Sequence, residues 1–180
     1  GVFIAAATPS FKEKDRMLIE WYRKQIAKLP IEVKFNTEVK DLSEIKADEI
    51  VIATGATPKR ARIPGFEKTI EACDYLLSDK KVGDNVVIIG GGLTGCEIAY
   101  ELSLNGKNPV IVEALNDLMA TPKLCLANSS YLRDYFKYKN VPVYLESKVM
   151  EIKDDGVIIE DKNGKRTAIK ADNVISAIGY

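Results

Sequence analysis

The feature that most constrains this chain is a glycine cluster placed directly behind a short, wholly apolar run: Val86-Val87-Ile88-Ile89 leads into Gly90-Gly91-Gly92-Leu93-Thr94-Gly95. An unbroken β-branched run of this kind suits a strand covered on both faces, as parallel sheets require. Val82-Gly83-Asp84-Asn85 supplies the turn into it. From Thr94 to Asn105 the apolar residues Ile98, Ala99 and Leu102 recur at helical spacing, and Gly106 stands where a helix stops. Strand, glycine loop and helix in this order form a receptacle for a pyrophosphate. Gly90 permits the tight turn, Gly92 lets backbone come close to the phosphates, and Gly95 lets the helix pack on the strand. The free N–H groups and positive dipole end of that helix then face the anion.

A second residue narrows the ligand. Glu113 ends the next apolar run, Val110-Ile111-Val112, 23 positions beyond Gly90. That spacing fits the carboxylate that accepts hydrogen bonds from the adenosine ribose hydroxyls. A carboxylate there repels the 2'-phosphate of NADP, and Ala114 to Pro122 contains no Arg or Lys to offset it, so NAD(H) is expected over NADP(H). Lys123 is too far along to count as a phosphate clamp. Two other readings compete: an ordinary glycine turn beside a surface Glu, and an S-adenosylmethionine-dependent methyltransferase, whose sheet also carries a glycine loop and an acid. The methyltransferase pattern has no counterpart of Ala53-Thr54-Gly55 or of Ala177-Ile178-Gly179. Cys96, just inside the helix, is either a thiol activated by the helix N-terminus or, preferred here, a small residue packed beside the loop. Glu97 suits a helix start with or without a cofactor role.

Composition removes several classes of function. Lys+Arg and Asp+Glu are equal at 26 each, so no net field attracts nucleic acid or an anionic membrane. No apolar run approaches the roughly 20 residues that span a bilayer. The three cysteines, Cys73, Cys96 and Cys125, have no CxxC spacing, which points away from a disulfide framework, a redox pair or a zinc site and suits reduced thiols in a cytoplasm. Without any histidine the commonest general acid/base is missing, so chemistry must come largely from cofactors. The chain opens at Gly1 without an initiator Met and stops at Tyr180 behind a strand-like run, which reads as an excised piece of a larger protein.

Elsewhere the pattern predicts an α/β chain. Ser10 and Glu13 form a capping-box pattern ahead of an amphipathic helix carrying Met17, Leu18, Trp21, Tyr22, Ile26 and Leu29. Strands are expected at Ile31–Phe35, Glu49–Ala53 and Val141–Leu145, and a helix at Ala127–Lys139. Val149–Lys153, Gly156–Glu160 and Arg166–Lys170 read as three antiparallel strands joined at Asp155-Gly156 and Asn163-Gly164. A last strand covers Asn173–Ala177. Ile50 to Gly55 and Val174 to Gly179 share one signature, strand then small residues then Gly, which suggests a duplicated architecture.

Taken together, Ala47 to Pro58, Ile63-Pro64-Gly65 and Val86 to Glu97 resemble the flavoproteins with two dinucleotide-binding domains in the pyridine nucleotide-disulfide reductase superfamily. Ala5 to Pro9, the Trp21-Tyr22 helix and Glu32 to Val39 are most similar to the C-terminal part of 2-enoate reductases and 2,4-dienoyl-CoA reductases. The resemblance implies a Rossmann-like fold, a parallel sheet flanked by helices with a three-stranded antiparallel excursion, in two parts: 1–79 as a partial FAD-binding domain and 80–180 as an NAD-binding domain. It assigns Ala53, Thr54 and Gly55 to the FAD side. Gly90, Gly91, Gly92, Leu93, Thr94, Gly95 and Glu113 are assigned to NAD, with Ala177, Ile178 and Gly179 near the nicotinamide. It further implies electron flow from NADH to FAD, then through a 4Fe-4S cluster to FMN, and finally to an activated C=C bond. The first FAD fingerprint, the FMN barrel and the cluster cysteines of such relatives are not in this sequence, so FAD binding by these residues alone is not expected. An NADH oxidase, a ferredoxin reductase and a non-catalytic NAD-binding module are the alternatives.

Overall fold

A computed structural model describes residues 1–78, 81–122 and 124–180. Its helices are α1 (Val2–Ala6), α2 (Glu13–Ile26), α3 (Ala72–Leu77), α4 (Leu93–Leu104) and α5 (Leu126–Tyr138). Its strands are β1 (Ile70–Glu71), β2 (Asn85–Ile89), β3 (Asn108–Val112), β4 (Val143–Tyr144), β5 (Ser147–Lys153), β6 (Gly156–Asp161), β7 (Arg166–Lys170) and β8 (Asn173–Ser176). Five strands form one sheet in the order β1-β8-β2-β3-β4, and β5-β6-β7 form a second. Every pairing in the first is parallel and every pairing in the second antiparallel.

The apolar run that makes β2 explains the layering. Val86 and Ile88 point to one face, where they pack with Ile98 and Leu102 of α4 and Phe136 of α5. Val87 and Ile89 point to the other, where they meet Ile152 of β5 and Val157 and Ile159 of β6. The molecule is therefore built as helices, parallel sheet and antiparallel sheet, and the excursion predicted from the hairpin signals is what seals the second face. Each of these buried side chains contributes on the order of 1.5–3 kcal/mol. Replacing β2 by polar residues would expose both cores at once.

The N-terminal region departs from the sequence expectation. Neither Ile31–Phe35 nor Glu49–Ala53 forms a strand. Both segments carry alternating or apolar residues, yet no described segment pairs with them, and Phe35 and Val51 stand 81% and 89% exposed. Of the two matching signatures, only Val174 to Gly179 is built on a strand. The capping box is not formed either: the residue at the N-cap of α2 is Lys12, without a side-chain cap. Ser10 instead donates its hydroxyl to Glu101 Oε2 at 2.8 Å, on α4. Helix α2 buries none of its residues, so its apolar stripe lies open.

The parallel sheet reaches back to β1, whose Ile70 pairs with Ile175, and Ala72 of α3 lies in the helical-side core. Sheet and core thus begin before residue 80. The expected boundary between 79 and 80 itself lies outside the described residues, as does Lys123. Among the described residues, no helix is long and apolar enough to cross a membrane.

Candidate functional site

Strands β2, β3 and β8 end together, and the chain order reverses around β2, the place where open α/β sheets bind ligands. The glycine loop leaves β2 here. Gly90 donates its N–H to Val112 O at 2.9 Å, and Ala177 donates to Ile89 O at 2.8 Å, which fixes the loop between β3 and the end of β8. Gly90 adopts φ +105°, a conformation that L side chains rarely take, and a Cβ there would lie 2.5 Å from Ala177 O. At Gly95 a Cβ would lie 2.0 Å from Gly90 O, so this position sets how closely α4 approaches the strand. A Cβ on Gly91 would meet Leu118 Cδ2 at 2.5 Å. Gly92 differs from the other three: it caps α4 in an extended conformation, and a Cβ built on it meets nothing within 4 Å. Backbone is bare at the one loop position that faces open space, and the first amides of the twelve-residue α4 begin there.

Glu113 is held rather than free. Its Oε2 accepts the Gly91 N–H at 2.6 Å and its Oε1 the Leu115 N–H at 2.7 Å. A carboxylate has further lone pairs, so both oxygens can still accept from a ligand hydroxyl. The segment behind it folds back onto the loop. Met119 donates to Gly91 O at 2.7 Å, and Arg133 of α5 grips Asp117 through two nitrogens at 3.1 and 2.9 Å while also donating to Leu118 O.

These pieces enclose a cleft of about 740 Å³. Gly90, Gly92, Leu93 and Thr94 lie along it, Glu113, Ala114 and Leu115 form one end, and Ala177, Ile178 and Gly179 the other. The structure therefore brings together most of the residues expected for NAD. Gly91 and Gly95 do not line the cleft; they shape it from behind. Ile63, Thr121, Ser147, Lys148 and Val149 line it as well and were not anticipated. Ser147 arrives because its N–H bonds to Glu113 O at 3.0 Å, which docks the start of β5 against the end of β3. No local motif marks it.

Ala53, Thr54 and Gly55 lie elsewhere. They are exposed, outside regular structure, and do not line the cleft. Nothing within 4 Å would meet a Cβ on Gly55, and these residues build no cradle for a flavin among the described residues. The loop that follows is nevertheless tied to the cleft, since Lys59 donates to Gly179 O at 2.8 Å.

Cys96 is fully buried, with its Sγ 3.4 Å from Gly91 O. Burial pushes its thiol up to about 12, in keeping with a small residue packed beside the loop. Glu97 pairs with Lys12 Nζ at 2.7 Å. Burial raises its carboxyl above the ordinary range while Lys12 pulls it back. Its side chain does not line the cleft; among the described residues its assigned partner is that lysine.

Residues 32–180 match the family described as pyridine nucleotide-disulphide oxidoreductase. Over its whole length the chain is 38% identical to cinnamate reductase of Clostridium sporogenes, of which it spans 27%. It is 31% identical, over 98% of its length, to NADH oxidase of Thermoanaerobacter brockii, spanning 28% of that protein. A solved structure of 2-naphthoyl-CoA reductase with 2-naphthoyl-CoA superimposes on 98% of the chain with a TM-score of 0.83 and 30% identity, again over 27% of the larger chain. The chain thus spans about a quarter of the length of these relatives.

Proposed function

The chain belongs to the pyridine nucleotide-disulphide oxidoreductase family, and from that premise we propose that it is the NADH-binding part of a cytoplasmic, FAD-dependent oxidoreductase. The observation that carries this reading is the contrast within the loop. Three glycines are demanded by close packing, whereas at Gly92, which also lines the cleft, a Cβ would meet nothing, so its bare backbone at the start of α4 is left for a ligand, close to a fixed carboxylate. In the proposed pose the pyrophosphate lies over Gly92 to Thr94, where amide N–H groups and the helix dipole meet its charge. Glu113 accepts from the ribose hydroxyls, and the nicotinamide extends toward Ala177, Ile178 and Gly179.

The chain's own contribution is to bind and orient the dinucleotide; redox chemistry belongs to the cofactors. By resemblance to enoate-type reductases, the groups that would take up the electrons of NADH in a parent enzyme are FAD, a 4Fe-4S centre and FMN, and the acceptor would be the activated C=C bond of a 2-enoate or dienoyl-CoA. No residue of this chain is assigned a step at those groups. The NADH-binding unit in this reading includes β1 and the segment from about Lys59 that is tied to the cleft, and Ala53 to Gly55 belong with the flavin side.

Fluorescence titration tests the assignment. NADH is expected to bind more tightly than NADPH, and Glu113→Gln to narrow the ratio, because removing the negative charge relieves repulsion of the 2'-phosphate. Equal affinities in the unaltered chain would refute the role given to Glu113. Failure to bind either nucleotide would refute the site.

A further inference from the structure

The loop from Ala114 to Pro122 carries no cation, but the fold brings one to the same place from another element. Lys148, on β5, is exposed and lines the 740 Å³ cleft beside Glu113. It also lines an adjoining cavity of about 670 Å³ together with Ala114, Leu115 and Asn116. Its backbone position is fixed, because both preceding residues are bonded to the segment that follows β3. Ser147 donates to Glu113 O at 3.0 Å and Glu146 to Leu115 O at 2.8 Å.

The carboxylates around it each have a partner other than Lys148, although Glu160 stands opposite it on β6. Glu113 holds two backbone amides at 2.6 and 2.7 Å, and Glu146 pairs with Lys162 at 2.7 Å. Glu160 pairs with Arg166 at 2.9 Å, and Asp161 accepts from the amides of Asn163 and Lys165 at 2.9 and 3.0 Å. Among the described residues lining the two cavities, Lys148 is the cation without a carboxylate partner. Its ammonium carries a charge that no ion pair among the described residues takes up, on a cleft that Glu113 also lines.

We infer that Lys148 is a specificity-determining residue that supplies the counter-charge for an adenosine 2'-phosphate, so that the chain accepts NADPH to a measurable degree against the repulsion of Glu113. The inference rests on the dinucleotide reading of the cleft. Glu113 and Lys148 then set the NADH to NADPH ratio in opposite directions.

Calorimetry with ADP-ribose and 2'-phospho-ADP-ribose tests this without any flavin or turnover. Lys148→Gln is expected to weaken 2'-phospho-ADP-ribose about tenfold, the size of one charge-assisted hydrogen bond, and to leave ADP-ribose within about twofold. Lys148→Arg restores binding. Equal weakening of both probes would place Lys148 on a group they share and overturn the inference, as would no change in either. If the unaltered chain bound neither probe, the dinucleotide reading would fall as well, an outcome distinct from a site that binds ADP-ribose but ignores residue 148.

Discussion

At the scale of single residues, the four glycines of the loop make different demands, and the difference is measurable. An alanine methyl at position 95 would press on backbone, the Gly90 carbonyl at 2.0 Å, which no side-chain rotation relieves. Gly95→Ala is expected to cost about 3 kcal/mol or more, seen as a large fall in Tm. Gly92→Ala meets open space and worsens only the helix cap, by about 1 kcal/mol or less. It is expected nonetheless to weaken NADH about tenfold or more, because the methyl stands where a phosphate would approach. A Gly92→Ala chain that binds NADH like its parent would move the pyrophosphate off this loop. For Glu113, the ratio of the two nucleotides is the right measure. Glu113→Gln also turns an amide donor toward the N–H of Gly91 or Leu115, a loss common to both ligands that cancels in the ratio. Glycines and acid were legible in the sequence because they fall within one contiguous strand-helix-strand unit. Ser147 and Lys148 were not, since they reach the cleft through backbone bonds to Glu113 and Leu115 that no neighbouring residue announces.

At the scale of elements, α2 and β2 mark the two extremes of support. Every residue of α2 lies outside the core, including Trp21 and Tyr22 at 52% and 50% exposure. In β2, Val86, Val87 and Ile88 are wholly buried and paired on both edges. Isolated helices of this length are marginal in water. The amides of Glu13–Ile26 are therefore expected to exchange with solvent at least about a hundredfold faster than those of Val86–Ile89, a gap of only about 2.7 kcal/mol in opening free energy. Comparable protection in hydrogen exchange would show that α2 is held by further contacts. The same contrast explains what periodicity could and could not tell. It identified α4, α5 and the three antiparallel strands, whose apolar faces all found a core. At Ile31–Phe35 and Glu49–Ala53 the pattern was equally suggestive, but a pattern reports which face an element offers and says nothing of what meets it.

At the scale of the whole molecule, the sheet is assembled out of chain order. Strand β8, the latest in the chain, lies between β1 and β2 and continues into Ala177, Ile178 and Gly179 at the cleft. Among the described residues β1 pairs only with β8, so without β8 it has no ladder, and one edge of β2 opens. Deleting residues 173–180 is expected to abolish cooperative unfolding and the near-ultraviolet circular dichroism of the packed core; a sigmoidal transition in the truncated chain would contradict the keystone role given to β8. The consequence extends to synthesis. At roughly 5–20 residues per second, a ribosome that has just finished Glu113 works for several seconds more before β8 emerges. Through that interval the nascent polypeptide holds the glycine loop and Glu113 but not the β8 end of the cleft, and on the dinucleotide reading proposed above the receptacle is complete only once β8 is threaded into the middle of the sheet.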